Sequence, residues 1–329
     1  MTSMASFASL LARATLAIAI LAAPVAAAAQ AWPSRPVRVI VPYPPGGTVD
    51  TVARVLAQDL GESLGQQIVV ENRSGASGTI GSDFVAKAAP DGYTLLINAS
   101  LHIVTPMLMN GVPYDPVRDF TPVSFIGSVP LLMVANAGLG VNNFREFAAL
   151  VKANPGKHNF ASSSTGAAGH LAEELVKKLA GLDIQIITYR GTPPGMVDLI
   201  AGNISALIDP LPATLPQVRG GKVKALAVTS PKRLAILPDV PTLAESGLPG
   251  FDMVSWYGLW GPTGLPRDIV NRLSAATTKA VRSKLAVERL AGQGFDPVGS
   301  TPEELVAVIR RELPLYQQII REAGIKPQN

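Results

Sequence analysis

The 329-residue chain contains no cysteine. That removes disulfides, thiolate zinc sites and a cysteine nucleophile. Its three histidines, His102, His158 and His170, form no H-x-x-x-H or H-E-x-x-H spacing, so no metal-binding pair is visible and no cofactor is implied. Charged residues make up only 16% of the chain, 28 basic against 24 acidic, with no basic run. Nucleic-acid binding needs clustered Lys and Arg, and is not expected. No G-x-x-x-x-G-K-[ST] or G-x-G-x-x-G follows a strand, which leaves nucleotide binding unsupported. What the chain does have is apolar residues, 47% of the total, enough to bury a core in each of two domains.

Near the N-terminus there is no charge between Arg13 and Arg35. The sequence "ATLAIAILAAPVAAAAQA" there has an apolar centre, the breaker Pro24 and then small residues, the order of a cleaved secretory signal over residues 1–31. Ala27 and Ala29, or Ala29 and Ala31, satisfy the A-x-A rule, placing cleavage at 29/30 or 31/32. A retained anchor wants about 20 strongly apolar residues, and this stretch is alanine-rich and interrupted. The expected address is the periplasm, which also suits a chain without thiols.

Beyond the signal, strand-length apolar runs alternate with helical patterns. "VRVIVP" reads as a strand, and Val49, Val52, Ala53, Leu56, Leu60 and Leu64 then form one stripe at helical spacing. "QQIVVEN", the helix in "TIGSDFVAKAA" and the strand "YTLLIN" follow. Continuous apolar strands alternating with helices imply a parallel sheet covered on both faces. "PVSFIGSVPLLMVAN" reads as one or two strands, after which a second α/β set runs from "KHNFASS" to "VKALAVT". Two helices close the chain, the last with Pro314 inside it, where a kink is expected. The fold class is therefore α/β with a discontinuous first domain, 32–129 plus 255–329, and an inserted second domain, 130–254.

In open sheets ligands gather at the carboxyl ends of strands. Three strand-to-helix turns share a composition there: "YPPGGTVD", "NRSGASGTIG" and "SSSTGAAGH". Each feeds a helix start, whose free N–H groups and partial positive charge can hold an anion without Lys or Arg. Glycine lets the anion approach, and hydroxyls add donors. The same residues also serve as ordinary caps: Thr48, Ser77 or Thr79, and Ser164 or Thr165. Asp50 reads as a first-turn acid with a structural role. Asp209, ending "ISALIDP", is either an acceptor for a ligand amine or hydroxyl or a turn residue before Pro210. Arg190 reads as a solvated cation at a strand end. His170 could pair with Ser163 or Ser164 in a hydrolase, but no G-x-S-x-G elbow is present, and a structural histidine is the plainer reading.

The ordered stretches "PYPPGGTVD", "ENRSGASGTIG", "AAPDGYTLL", "YDPVRDFTPV", "YRGTPPGMVDLIAGNISALID", "GKVKALAVTS", "LPDVPTLAESGLPGF" and "WYGLWGPTGLP" resemble the Bug family, periplasmic solute receptors of tripartite tricarboxylate transporters. The resemblance covers essentially the whole chain after the signal. It implies two Rossmann-like domains in a flytrap arrangement that close over a small mono-, di- or tricarboxylate or amino acid, no catalysis, and delivery to integral-membrane subunits by a monomeric receptor. Carried over, it points to Tyr43, Gly46, Gly47 and Thr48 in the first turn and Ala76, Ser77 and Gly78 in the second. It adds Ser100 after the third strand, and Ser163, Ser164, Thr165 and Asp209 in the insert. Pro44-Pro45 departs from the usual first turn and leaves the identity of the ligand open. The rival readings are a Ser/His hydrolase of the same α/β class and a ligand sensor for a two-component system.

Overall fold

The computed structural model describes residues 32–327; the expected signal segment and its cleavage points lie outside them. From Arg35 onward the chain forms one compact unit. Strands β1 (Val37–Val41), β2 (Ile68–Asn72) and β3 (Thr94–Ala99) pair in parallel, with β1 between the other two. β1 and β3 are almost wholly buried, as their unbroken apolar sequences require. Helix α1 (Thr48–Leu64) connects β1 to β2 and buries all six residues of the expected stripe. It stops at Gly65, whose φ of 73° supplies the left-handed cap. Helices α2 (Thr79–Ala86) and α3 (Leu101–Leu108) follow β2 and β3. His102, in the first turn of α3, is fully buried among Tyr114, Phe120 and Trp260, and neither ring nitrogen has a hydrogen-bond partner. Burial pushes its pKa down to about 3, so the ring is neutral.

The sheet is mixed rather than wholly parallel, because two long strands return through it. "PVSFIGSVPLLMVAN" is one strand, β4 (Phe120–Asn136). Its first part, Phe120 to Pro130, pairs antiparallel with β9 (Val254–Pro262), and β9 also lies antiparallel against β3. From Leu131 the same strand turns to β7 (Ala206–Pro210) and β8 (Val223–Val228), both antiparallel. In the second lobe β5 (Asn159–Ser162) pairs in parallel with β6 (Gln185–Thr188) and β7. The order along the sheet is β2-β1-β3-β9-β4-β7-β5-β6, with β8 and the short β10 (Asp296–Pro297) also on β4.

Helices α4 (Phe144–Ala153), α5 (Ala168–Ala180), α6 (Thr192–Ala201) and α7 (Leu211–Arg219) belong to the second lobe. The helical patterns legible in "GHLAEELVKKLAG" and "PPGMVDLIAGN" correspond to α5 and α6, whereas α4 and α7 are not expected from the pattern. The chain closes with α8 (Arg267–Val281) and α9 (Pro302–Ala323). A full capping box starts α9, with Thr301 and Glu304 bonding each other's backbone N–H. The helix runs unbroken through Pro314 and packs on β4, on α3 in the first lobe and on α5 in the second. Among the described residues no helix is long and apolar enough to cross a membrane.

Candidate functional site

The first turn is braced from behind. Asp50 accepts from the Gly46 N–H (3.0 Å), Arg54 Nε (2.9 Å) and Asn72 Nδ2 (2.9 Å), while Asn72 Nδ2 also reaches the Tyr43 carbonyl (2.9 Å). Burial pushes the Asp50 carboxyl up, but Arg54, the Gly46 N–H and Asn72 outweigh it and hold the group below its ordinary range. Asp50 is thus a structural brace, and it takes the Gly46 N–H for itself. Gly47 is the N-cap of α1, and the first helical bond runs from Thr51 N to Gly47 O (3.0 Å). The N–H groups of Thr48, Val49 and Asp50 therefore precede the helical ladder. Thr48 Oγ1 is buried without a hydrogen-bond partner.

The second turn is wound the wrong way for L-residues. Ala76, Ser77 and Gly78 have φ of 45°, 52° and 87°, and the two non-glycines cost of order 1–2 kcal/mol each in that conformation. A Cβ on Gly78 would stand 2.9 Å from the Tyr43 hydroxyl, so glycine is required by close approach as well as by φ. That hydroxyl donates to Asn98 Oδ1 (3.0 Å), linking the turn to the end of β3.

In the second lobe the serine-rich turn leads into α5, whose first helical bond joins Leu171 N to Ala167 O (3.0 Å). The N–H groups of Ala168, Gly169 and His170 are the leading donors. Gly169 is pressed against β7: an added Cβ would collide with the Ile208 carbonyl. His170 Nδ1 accepts from the Gly166 N–H (3.2 Å), and burial pushes its pKa down to about 4. Ser163 Oγ, the partner a hydrolase would give that histidine, donates instead to Asp209 Oδ1 (3.0 Å). Thr192 Oγ1 donates to Asp209 Oδ2 (2.5 Å). Asp209 is 1% exposed, and burial pushes its carboxyl up to about 6 against the lowering effect of Thr192 and Ser163. On the α5 side of β7, Glu173 accepts from the Ile208 N–H (3.0 Å) while its Oε2 has no partner, and burial pushes this carboxyl well above the usual range.

These parts meet at a cavity of about 60 Å³, room for a few waters or a compact ligand. The first lobe contributes Tyr43, Pro44, Gly47, Thr48 and Val49, with Ala99 and Leu101 at the end of β3. The second contributes Ser163, Ser164, Ala167 to Gly169, Gly191 to Pro193, and Asp209. Ser255 and Tyr257 of β9 close it. The leading turns of α1 and α5 face the cavity from opposite lobes. Among the described residues its lining holds no Lys, Arg or His, and Asp209 is its only carboxyl group. Burial raises the Tyr257 pKa well above its usual value, Ser255 and Thr48 lowering it and the Asp209 charge raising it further. The approach of Thr48 to that phenol falls short of a hydrogen bond. A neighbouring, larger cavity of about 220 Å³ shares Tyr43, Pro44, Ser164 and Gly191 and is lined by Ala76, Ser77, Gly78 and the exposed Arg190.

Of the twelve residues singled out in the sequence, Tyr43, Gly47, Thr48, Ser163, Ser164 and Asp209 line the first cavity, and Ala76, Ser77 and Gly78 the second. Gly46, Ser100 and Thr165 line neither. Ser100 is buried, its N–H on the Trp256 carbonyl (2.8 Å), and Thr165 is likewise buried. Sequence reasoning missed Thr192, Ser255 and Tyr257. "RGTPPG" carried a legible signal for Thr192, a hydroxyl followed by prolines suited to a helix start.

Two α/β lobes with a cavity at the helix N-termini between them have the architecture of a two-lobed ligand-binding protein. The profile of the tripartite tricarboxylate transporter family receptors matches residues 52–325, and the chain belongs to that family. It is 42% identical over 313 residues to the protein BugT of Bordetella pertussis, covering 94% of this chain and 95% of that one. Among solved structures, R. palustris Rpa4515 with adipate superposes with a TM-score of 0.88 at 35% identity, covering 90% of this chain and all of the other. MatC from Rhodopseudomonas palustris with bound malate gives 0.83 at 34% identity, covering 88% and 100%. The chain is a periplasmic solute-binding receptor.

Proposed function

We propose that this receptor captures a small carboxylate in the cavity between its lobes and presents it to the integral-membrane subunits of a tripartite transporter, without chemical turnover. One observation carries the reading. Two helix N-termini from opposite lobes converge where the buried Thr48 hydroxyl has no partner, and no basic side chain is present to bind an anion in their place. The carboxylate ligands of Rpa4515 and MatC fit the same chemistry. The engagement of His170 with Gly166, and of Ser163 with Asp209, supports binding over hydrolysis. In this reading residues 1–31 are removed on export, the mature receptor acts as a monomer, and the lobes are 32–129 with 255–329 and 130–254.

Gly47 provides the test. Its φ of −79° suits any residue, and an added Cβ meets only the Pro44 carbonyl, at 3.9 Å. Gly47→Val should therefore keep the melting temperature and lose at least tenfold in affinity for the carboxylate that mass spectrometry finds on the purified protein. A variant that melts and binds as the parent does would show that the anchor lies elsewhere.

A further inference from the structure

The cavity has one anionic wall, and the hydroxyls beside it are already committed. Each oxygen of Asp209 accepts a hydrogen bond, one from Ser163 Oγ and one from Thr192 Oγ1. A hydroxyl has a single proton to give, so with Asp209 ionised these two present only lone pairs to a ligand. The carboxylate likewise offers only lone pairs. This end of the cavity is an acceptor surface.

Positive potential comes from the helix N-termini, that of α5 lying on the same side as Asp209, where an added Cβ on Gly169 would stand 3.6 Å from Asp209 Oδ1. The first turn of α1 reaches the cavity from the other lobe and provides the anchor for one ligand carboxylate. The opening turn of α6, which also lines the cavity, carries Pro193 and Pro194 and so has fewer N–H groups to offer. No Lys, Arg or His lines the cavity to neutralise a second. A second carboxylate on a short ligand would sit against the buried Asp209 carboxylate with no basic side chain in the lining between the two charges, an arrangement that burial makes costly. A longer diacid could send its second carboxylate outward to the Ala76–Gly78 turn and Arg190.

We propose that the group a short ligand presents to Asp209 is a hydrogen-bond donor, a hydroxyl or an ammonium, so that the cavity selects hydroxy or amino monocarboxylates over diacids of equal length. Asp209 is then the specificity-determining residue, held in place by Ser163 and Thr192. The inference rests on the reading of this cavity as the carboxylate site.

Calorimetric titration of the intact receptor at pH 7.5 tests it with three-carbon acids: lactate, 3-hydroxypropionate, alanine and β-alanine against propionate and malonate. The tightest of the four donor-bearing acids should bind at least tenfold better than either propionate or malonate. Asp209→Asn, which adds donors to the wall, should bring malonate within about threefold of it. Malonate equal to or ahead of the donor-bearing acids on the parent protein would overturn the proposal while leaving the carboxylate reading intact, and so would parity with propionate. Heat from none of the six would overturn the proposal, while the carboxylate reading is decided separately by the Gly47→Val test with the co-purified ligand. The parent protein decides alone if Asp209→Asn does not fold, and Thr192→Val, which frees one oxygen of Asp209, should weaken the discrimination without reversing it.

Discussion

Asp209 is a carboxyl group buried to 1% exposure, open only to the cavity it lines. Its pKa is raised from 3.8 to about 6, so the folded protein holds this proton more tightly than the unfolded chain does. Stability tied to Asp209 is therefore greatest below about pH 4, declines as pH rises toward 6 and is flat beyond. The difference of about two pKa units corresponds to about 3 kcal/mol lost at neutral pH. Glu173, also raised by burial, acts in the same direction. Asp209→Asn should accordingly stabilise the ligand-free protein by about 1–3 kcal/mol in urea unfolding at pH 7.5 and by much less at pH 4. Equal gains at both pH values would show that the aspartate does not bear this charge penalty. A site residue that destabilises its own fold is the usual mark of a position kept for binding.

At the scale of elements, the left-handed turn Ala76–Gly78 stores strain that an exposed alanine does nothing to offset. Ala76→Gly should raise stability by about 0.5–1 kcal/mol, the relief of the left-handed penalty less the added freedom of the unfolded chain. An unchanged or lowered melting temperature would mean that the Ala76 side chain makes a compensating contact. The turns also show how far the sequence could be read. Gly-, Ser- and Thr-rich composition before a helix marks a strand end, and it located the walls given by Thr48, Ser163 and Ser164. It could not tell that Asp50 takes the Gly46 N–H, because that bond depends on how the turn folds back over its helix. Ser255 and Tyr257 escaped because they lie mid-strand in β9, whose antiparallel return between β3 and β4 has no local signature. Helix α7 was hidden by Pro212 and Pro216, which read as breakers although the first occupies the tolerated opening turn. Helix α4 had a readable start in Asn143, whose side chain caps Glu146 N, and its absence from the pattern reading has no physical excuse.

For the whole molecule, the decisive element is β4, one strand serving two lobes. It changes partners at Pro130, a residue with no N–H to give, so the ladder is weakest where the lobes meet. Bending there, together with the Phe251–Val254 crossing, is the expected route for opening. α9 limits its extent by packing on α3 and α5 at once. Small-angle scattering should show a smaller radius of gyration when the receptor is saturated with its carboxylate. Superimposable profiles, with binding confirmed in the same sample, would count against hinged closure. The convergence of helix ends has a further consequence, for inheritance. A main-chain N–H survives every point substitution except one to proline, so a receptor that grips through its backbone keeps that grip as its gene drifts. The far wall is written in side chains and is open to change one codon at a time. A lineage built this way can alter its diet without ever passing through a form that holds nothing.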